Sequence, residues 1–199
     1  MTLFRSRGKP HRFDSSGAFT ERLEGERRRR SIPPEPVVER MQLTNDGVVL
    51  DLGAGIGYFS FPIAERAKEV IAIDIEPKML SVLSQRIASS ANSKIATIRG
   101  DISSLPLEDG AVDHVLSAFV YHEVPDQSEF LEEAARVLSL KGKLTVVDFQ
   151  KRFTGEGPPI WVKKSPEHVG RTASKWFTEV SRFETKVFYQ LSFVKRDRV

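Results

Sequence analysis

The stretch Val49-Leu50-Asp51-Leu52-Gly53-Ala54-Gly55-Ile56-Gly57-Tyr58-Phe59-Ser60 decides how this chain is read. A short apolar run, 48–52, ends in three alternating glycines. A continuous apolar run of that length reads as a strand buried on both faces. The glycines mark a tight turn, and residues 57–67 beyond it read as a helix, with Pro62 confined to its first turns. Strand, glycine turn and helix form the first half of a βαβ unit.

The same rhythm continues outward. Residues 70–73 read as a second strand ending at Asp74, and 77–90 as a helix opened by Pro77. Residues 95–98, 112–119 and 144–149 read as further strands, with 127–139 a helix before the last. Strands alternating with helices specify a parallel α/β sheet with right-handed crossovers. Beyond 150 the pattern predicts a loop at 155–159, a helix over 165–177 and an antiparallel pair at 182–188 and 189–196. On the other side, 18–30 reads as a helix ending in Arg27-Arg28-Arg29-Arg30, and Pro36 opens a short helix through Met41. This divides the chain into a disordered basic tail at 1–16 and one domain at 17–199. The domain comprises an N-terminal helical segment (17–43), read either as a lid or as a peripheral helix packed elsewhere, a ligand-binding core (46–149) and a C-terminal helix with a strand pair (150–199).

Composition removes several function classes. With 199 residues, 40% of them hydrophobic and 29% charged, the chain suits one soluble domain. It has no cysteine, which excludes a disulfide framework, a thiolate metal site and a cysteine nucleophile. The longest apolar runs are about seven residues, against the roughly 20 of a membrane helix. Met1–Lys9 is basic with no apolar run after it, so a secretory signal is not expected and the expected location is cytoplasmic. Residues 41–149 carry 9 basic and 16 acidic side chains, and the two flanks are basic. A basic flank can attract nucleic acid, and it also serves plain solubility.

The glycine turn suits a nucleoside ligand. A dinucleotide turn, G-x-G-x-x-G, would place its third glycine at 58, which is Tyr58. The observed spacing is G-x-G-x-G, with Asp51 two residues before it. A carboxylate there suits a ligand cation, and glycines let the backbone approach without a Cβ collision. Asp74 ends the second strand and can accept from both hydroxyls of a ribose. Asp101, after the third strand, can accept from an adenine amino group. Each feature alone has a plain structural reading, as a βα connection or a cap. Their order along adjacent strand ends points to a nucleoside cofactor, and S-adenosylmethionine, which has an ammonium, a ribose and an adenine but no phosphate, is one of the two ligand classes that such a turn serves.

The segments VLDLGAGIGYFS (49–60), VIAIDIEPKML (70–80), GDISSLPLEDGAVDHVLSAFVYHEV (100–124) and EEAARVLSLKGKLTVVDF (132–149) resemble the class I S-adenosylmethionine-dependent methyltransferases. Within them the chain is similar to small relatives of the ubiquinone/menaquinone-biosynthesis methyltransferases, a likeness extending to RLEGERRRRSIPPEPVV and GEGPP. The resemblance implies a doubly wound seven-stranded sheet of order 3-2-1-4-5-7-6, only the inserted last strand antiparallel. It implies S-adenosyl-L-methionine as cofactor, S-adenosyl-L-homocysteine as product, and no metal. Gly53, Ala54, Gly55 and Gly57 would line the methionine and ribose portion, and Asp51 would orient the amino group through water. Asp74 would take the ribose hydroxyls, with Ile75 against the adenine. Asp101 and the Ile102 backbone would read the adenine, and Ala118-Phe119 would close over the methionine end.

The chemistry implied is direct displacement at the sulfonium methyl, with a base needed only if the acceptor must lose a proton. His122 is the candidate base and Tyr121 a candidate contact to the methyl group. The other reading of His122 is that it shapes the pocket through a neighbour. Tyr58 and Asp148 are further candidates to face the site. The segment after the fourth strand is Phe119-Val120-Tyr121-His122, not Asn/Asp-Pro-Pro-Tyr/Phe, which argues against base or glutamine methylation. A small-molecule acceptor is expected, a protein acceptor is possible, and nucleic acid is disfavoured. Two alternatives stand beside this reading: a non-catalytic domain that binds the cofactor or RNA, and a nicotinamide-dependent oxidoreductase.

Overall fold

The computed structural model describes residues 23–197. The expected tail at 1–16 and the start of the expected lid lie outside them. Seven strands form one sheet of order β3-β2-β1-β4-β5-β7-β6. They are β1 (Val48–Leu52), β2 (Glu69–Asp74), β3 (Ile95–Arg99), β4 (Val112–Ala118), β5 (Leu138–Phe149), β6 (Phe177–Glu184) and β7 (Phe188–Lys195). β1 through β5 are mutually parallel, and β7 runs antiparallel between β5 and β6. This is the order and the strand polarity that the family resemblance implies.

The period of two along each strand sorts the core onto two faces. Leu50, Leu52, Ile73, Val115, Leu144 and Val146 share one cluster with Phe130, Leu131 and Val137 of α5 (Gln127–Val137) and with Val169 of α6 (Pro166–Ala173). Val49, Val70, Ala72, Leu116 and Val147 share the other. It holds Val37, Val38 and Met41 of α2 (Pro34–Met41), Ile63 of α3 (Ser60–Ala64) and Leu83 of α4 (Pro77–Ser90). Asp51 lies in register on the second face, between Val49 and the glycine turn, and is 2% exposed. Each fully buried aliphatic side chain contributes about 1.5–3 kcal/mol.

Local chemistry sets the helix starts. Pro34 and Pro77 occupy first-turn positions, where a missing N–H costs nothing. Asp126 caps α5 by accepting from Ser128 N (2.9 Å) and Glu129 N (3.0 Å), and Ser165 caps α6.

Several boundaries differ from expectation. The helix expected over 18–30 is interrupted within the described residues at Gly25, and α1 is Glu26–Ser31. The helix expected over 57–67 shrinks to Ser60–Ala64, because turn geometry persists from the glycines to Phe59. α5 passes directly into β5, which begins at Leu138 rather than 144. Leu138 pairs with Val112 and Lys143 with His114, so the residues between them bulge, with Lys141 at φ +62°. β6 starts at Phe177, five residues earlier than expected, as an edge strand exposed beyond its first residue.

Candidate active site

A cavity of about 510 Å3 opens at the carboxyl ends of the strands around β1. Open α/β sheets bind ligands at this edge, and the volume suits a nucleoside-sized molecule.

The glycine turn forms its floor. Gly53, Gly55 and Gly57 all have left-handed φ, at +67°, +56° and +88°. A Cβ on Gly53 would stand 2.4 Å from Val120 Cγ2, whereas one on Gly55 would meet nothing within 4 Å. Gly53 is therefore required by packing and Gly55 leaves room beside the cavity. Ala54 N–H ties the turn to the sheet by donating to the Ile73 carbonyl (3.0 Å), and Gly57 N–H closes the turn on itself by donating to the Ala54 carbonyl (2.9 Å).

Asp74 stands at the end of β2. Its Oδ2 accepts from Gly55 N (2.8 Å) and its Oδ1 from Glu76 N (2.9 Å). Burial raises its pKa, and these amides pull the other way. A carboxylate has about four lone-pair sites, so each oxygen retains accepting capacity. Asp74, Ile75, Asp101 and Ile102 all lie on the cavity wall, together with Gly53, Ala54, Gly55, Ala118 and Phe119. Asp101 is exposed and accepts from Ser103 N at 2.9 Å.

Four expected site residues lie behind the wall. Gly57 does not line the cavity, and its missing Cβ makes room for Leu83, which a Cβ would approach to 2.6 Å. Asp51 faces the core, where its Oδ2 accepts from Ser60 Oγ at 2.6 Å. Burial pushes its pKa up to about 7, partly opposed by that hydroxyl and reinforced by Asp74. Tyr121 is fully buried, edge-on to Phe130 at 5.8 Å, and does not reach the cavity. Its place after β4 suggested proximity, but the turn at Tyr121–Glu123 directs its ring into the core.

His122 is also buried behind the wall. Its Nδ1 lies 2.7 Å from Asp148 Oδ1, and its backbone N–H donates to Asp148 Oδ2 at 3.0 Å. Nε2 points toward Glu123 Oε1 at 3.7 Å, and Glu123 does line the cavity. Asp148 does not line the cavity; it holds His122 by ring and backbone.

Sequence reasoning missed part of the wall. Arg28 of α1 and Leu23 line it, as do Phe59 and Met79. Tyr58 lines it too, but its hydroxyl donates to the Ile32 carbonyl at 2.8 Å. Phe119 adopts φ +61°, and its ring stacks on Phe59 (6.3 Å) and meets Phe149 (4.5 Å). Gly157 of the loop GEGPP packs against Phe149, whose ring a Cβ there would approach to 2.5 Å. Arg27 ties that loop to α1 through Glu156 (2.7 Å) and the Gly155 carbonyl (2.9 Å).

Acceptors at the β2 and β3 ends, a bare backbone floor and a cation toward β4 fit a nucleoside that carries an amino-acid end. Comparison with known proteins agrees. Residues 50–146 match the methyltransferase domain family. An uncharacterised methyltransferase of Mycobacterium tuberculosis is 34% identical over 170 residues, 81% of this chain and 65% of that protein. This chain thus spans about two thirds of its length. The demethylmenaquinone methyltransferase of Thermotoga maritima is 30% identical over 169 residues, 82% of this chain and 70% of that protein. In fold, the chain is similar to a SAM-dependent methyltransferase of Aquifex aeolicus, with a TM-score of 0.82 and 23% identity over 92% of this chain and 100% of that one. With this sheet order, this glycine turn and these relatives, the chain belongs to the class I S-adenosylmethionine-dependent methyltransferases.

Proposed function

We propose that this chain transfers a methyl group from S-adenosylmethionine to a small-molecule acceptor. The observation that carries this reading is the convergence of the glycine turn, Asp74 and Asp101 on one cavity at the strand ends. Bound there, S-adenosylmethionine supplies a methyl group on a cationic sulfur that is already a good leaving group. Asp74 would accept from the ribose hydroxyls and Asp101 from the adenine amino group, with Ile75 and Ile102 against the base. Gly53, Ala54 and Gly55 would carry the methionine portion, and Ala118 and Phe119 would close over it. Asp51, behind the turn, would orient the amino group through water. Positioning two reactants in line can supply roughly 7–11 kcal/mol of the barrier.

The N-terminal helices would cover this site as a lid. Leu23 and Arg28 reach the cavity, and Glu24 pairs with Arg86 at 2.8 Å. The arrangement of His122 supports a shaping role, with Asp148 fixing the turn that carries Glu123 to the wall. Aromatic rings at Tyr58, Phe59 and Phe119 favour a planar, largely apolar acceptor.

The test is incubation of the protein with methyl-labelled S-adenosylmethionine and, separately, small metabolites, RNA and protein extract. Label in the small organic fraction with matching S-adenosylhomocysteine is expected. Label confined to RNA or protein, or none at all, would count against it.

A further inference from the structure

The loop after β5 carries large apolar side chains where a soluble surface would place polar ones. Val162 N–H donates to the Pro159 carbonyl at 3.0 Å, so Ile160 and Trp161 occupy the two corners of a turn. Turn corners ordinarily hold glycine, proline, asparagine or aspartate. Here Trp161 is 78% exposed and Ile160 45%, and Phe153, earlier in the same loop, is 93% exposed. Neither ring meets another ring among the described residues. Lys163 braces the loop from within. It is 2% exposed, and its Nζ donates to the carbonyls of Arg152 (3.2 Å) and Glu156 (2.9 Å) and to Thr154 Oγ1 (3.1 Å). Phe153 lies between two of those partners, and Trp161 lies just before Lys163 itself. Cations surround these rings. Residues 150–166 carry four basic side chains and one acid. The acid, Glu156, pairs with Arg27 at 2.7 Å. Lys151 and Arg152 are exposed and Lys164 is half-buried, and none of the three forms an ion pair among the described residues. Their field reaches His168, whose pKa is lowered by burial first and then by Lys164, Arg171 and Lys151.

Exposed apolar groups gathered on one braced loop mark a contact site. Tryptophan and phenylalanine flanked by lysine and arginine suit the boundary between lipid headgroups and acyl chains. There the rings leave water and the cations meet anionic headgroups. We propose that the loop 151–164 docks this protein peripherally on an anionic membrane surface. No helix among the described residues is long and apolar enough to cross a bilayer. A second copy of the chain fits the face less well, because a symmetric contact would set its excess of cations against itself. RNA would meet the cations and stack on the rings, but an aliphatic Ile160 at the turn corner gives a base nothing to stack on. The face also adjoins the cavity. β5 runs parallel to β4 and β1, so the loop leaves the sheet at the edge where the cavity opens. Phe149, the last residue of β5, meets Phe119 of the cavity wall at 4.5 Å. A docked molecule would turn that edge toward the bilayer and take an apolar acceptor from it. This consequence rests on the function proposed above, whereas the docking does not.

Vesicle sedimentation with the full chain tests the docking. It compares wild type with two double variants, Phe153→Ser with Trp161→Ser, and Lys151→Ala with Arg152→Ala. The vesicles are phosphatidylcholine alone or phosphatidylcholine mixed with phosphatidylglycerol. Three cations near an anionic surface should make wild type bind the mixed vesicles about a hundredfold more tightly than the neutral ones. Added salt should erode that preference. The serine variant should lose at least about tenfold on the mixed vesicles, and the alanine variant most of the charge preference. Trp161 emission should shift to the blue on binding; no shift would leave the ring in water and overturn the proposal. Wild type that binds neither vesicle overturns it, as do variants that bind as wild type does. The serine variant should melt with wild type, since its side chains are exposed; a clear fall would show that they pack within the fold and would also overturn it. A wild type that ignores vesicles but dimerises through these rings, or binds single-stranded RNA, would give the face to another occupant and overturn it. If the protein binds anionic vesicles in the expected pattern but no S-adenosylhomocysteine, the function proposed above fails and the docking stands.

Discussion

Asp74 Oδ2 accepts the Gly55 N–H at 2.8 Å, so the end of β2 and the turn after β1 form one hydrogen-bonded unit. The acid expected to serve a ligand also shapes the loop that would carry it. Asp74→Ala orphans the Gly55 and Glu76 amides at a half-buried position. It should therefore cost about 1–2 kcal/mol of stability even without ligand, read from the urea midpoint. An unchanged midpoint would show that the loop holds its shape independently.

The glycines of the turn should differ in what they tolerate. Gly53→Ala meets both a left-handed φ and Val120 at 2.4 Å, so it should destabilise by about 2 kcal/mol or more. Gly55→Ala meets only the φ and should cost about 1 kcal/mol. Equal costs in urea unfolding would contradict this packing.

Much of this was legible in the sequence because buried parallel strands announce themselves. Val49, Leu50, Val70, Ile71, Val115 and Leu116 sit in continuous apolar runs, and the acids at Asp74 and Asp101 mark where those runs stop. The edge strand β6 was harder to place, since an exposed Thr178–Glu184 has no hydrophobic pattern to read. Arg28 was hidden for another reason. In Arg27–Arg30 every residue has the same charge and helix propensity, and only contact with Phe119, far along the chain, singles one out. Tyr121 and His122 follow β4 as expected, but a single turn of backbone decides whether such side chains meet the cavity or the core.

Asp51 should make stability depend on pH. Its folded pKa, about 7, lies above the ordinary value of 3.8, so the folded state favours the neutral acid. Below the ordinary value both states are protonated and there is no penalty. As pH rises toward about 7 the unfolded state ionises first and the folded state loses ground; above that the loss is constant. Asp51→Asn retains an acceptor for Ser60 without the charge. The melting temperature of Asp51→Asn minus that of wild type should therefore grow from pH 4 to about 7 and then level. A difference independent of pH would mean that Asp51 is ionised throughout.

If the N-terminal helices are a lid, removing residues 1–30 should affect binding far more than folding. Those residues include Leu23 and Arg28 on the cavity wall, whereas α2 and its buried Val37, Val38 and Met41 remain. The expected result is at least about tenfold weaker S-adenosylhomocysteine binding with only a small loss in ligand-free melting temperature. Binding equal to that of the whole chain would remove the lid.

Isothermal titration of the folded protein with S-adenosylmethionine and S-adenosylhomocysteine, with Asp74→Ala alongside, tests the central claim most directly. Micromolar binding by wild type is expected, weakened at least about tenfold in the variant as a charge-assisted hydrogen bond to the ribose is lost. A folded wild-type protein that binds neither compound would contradict the account.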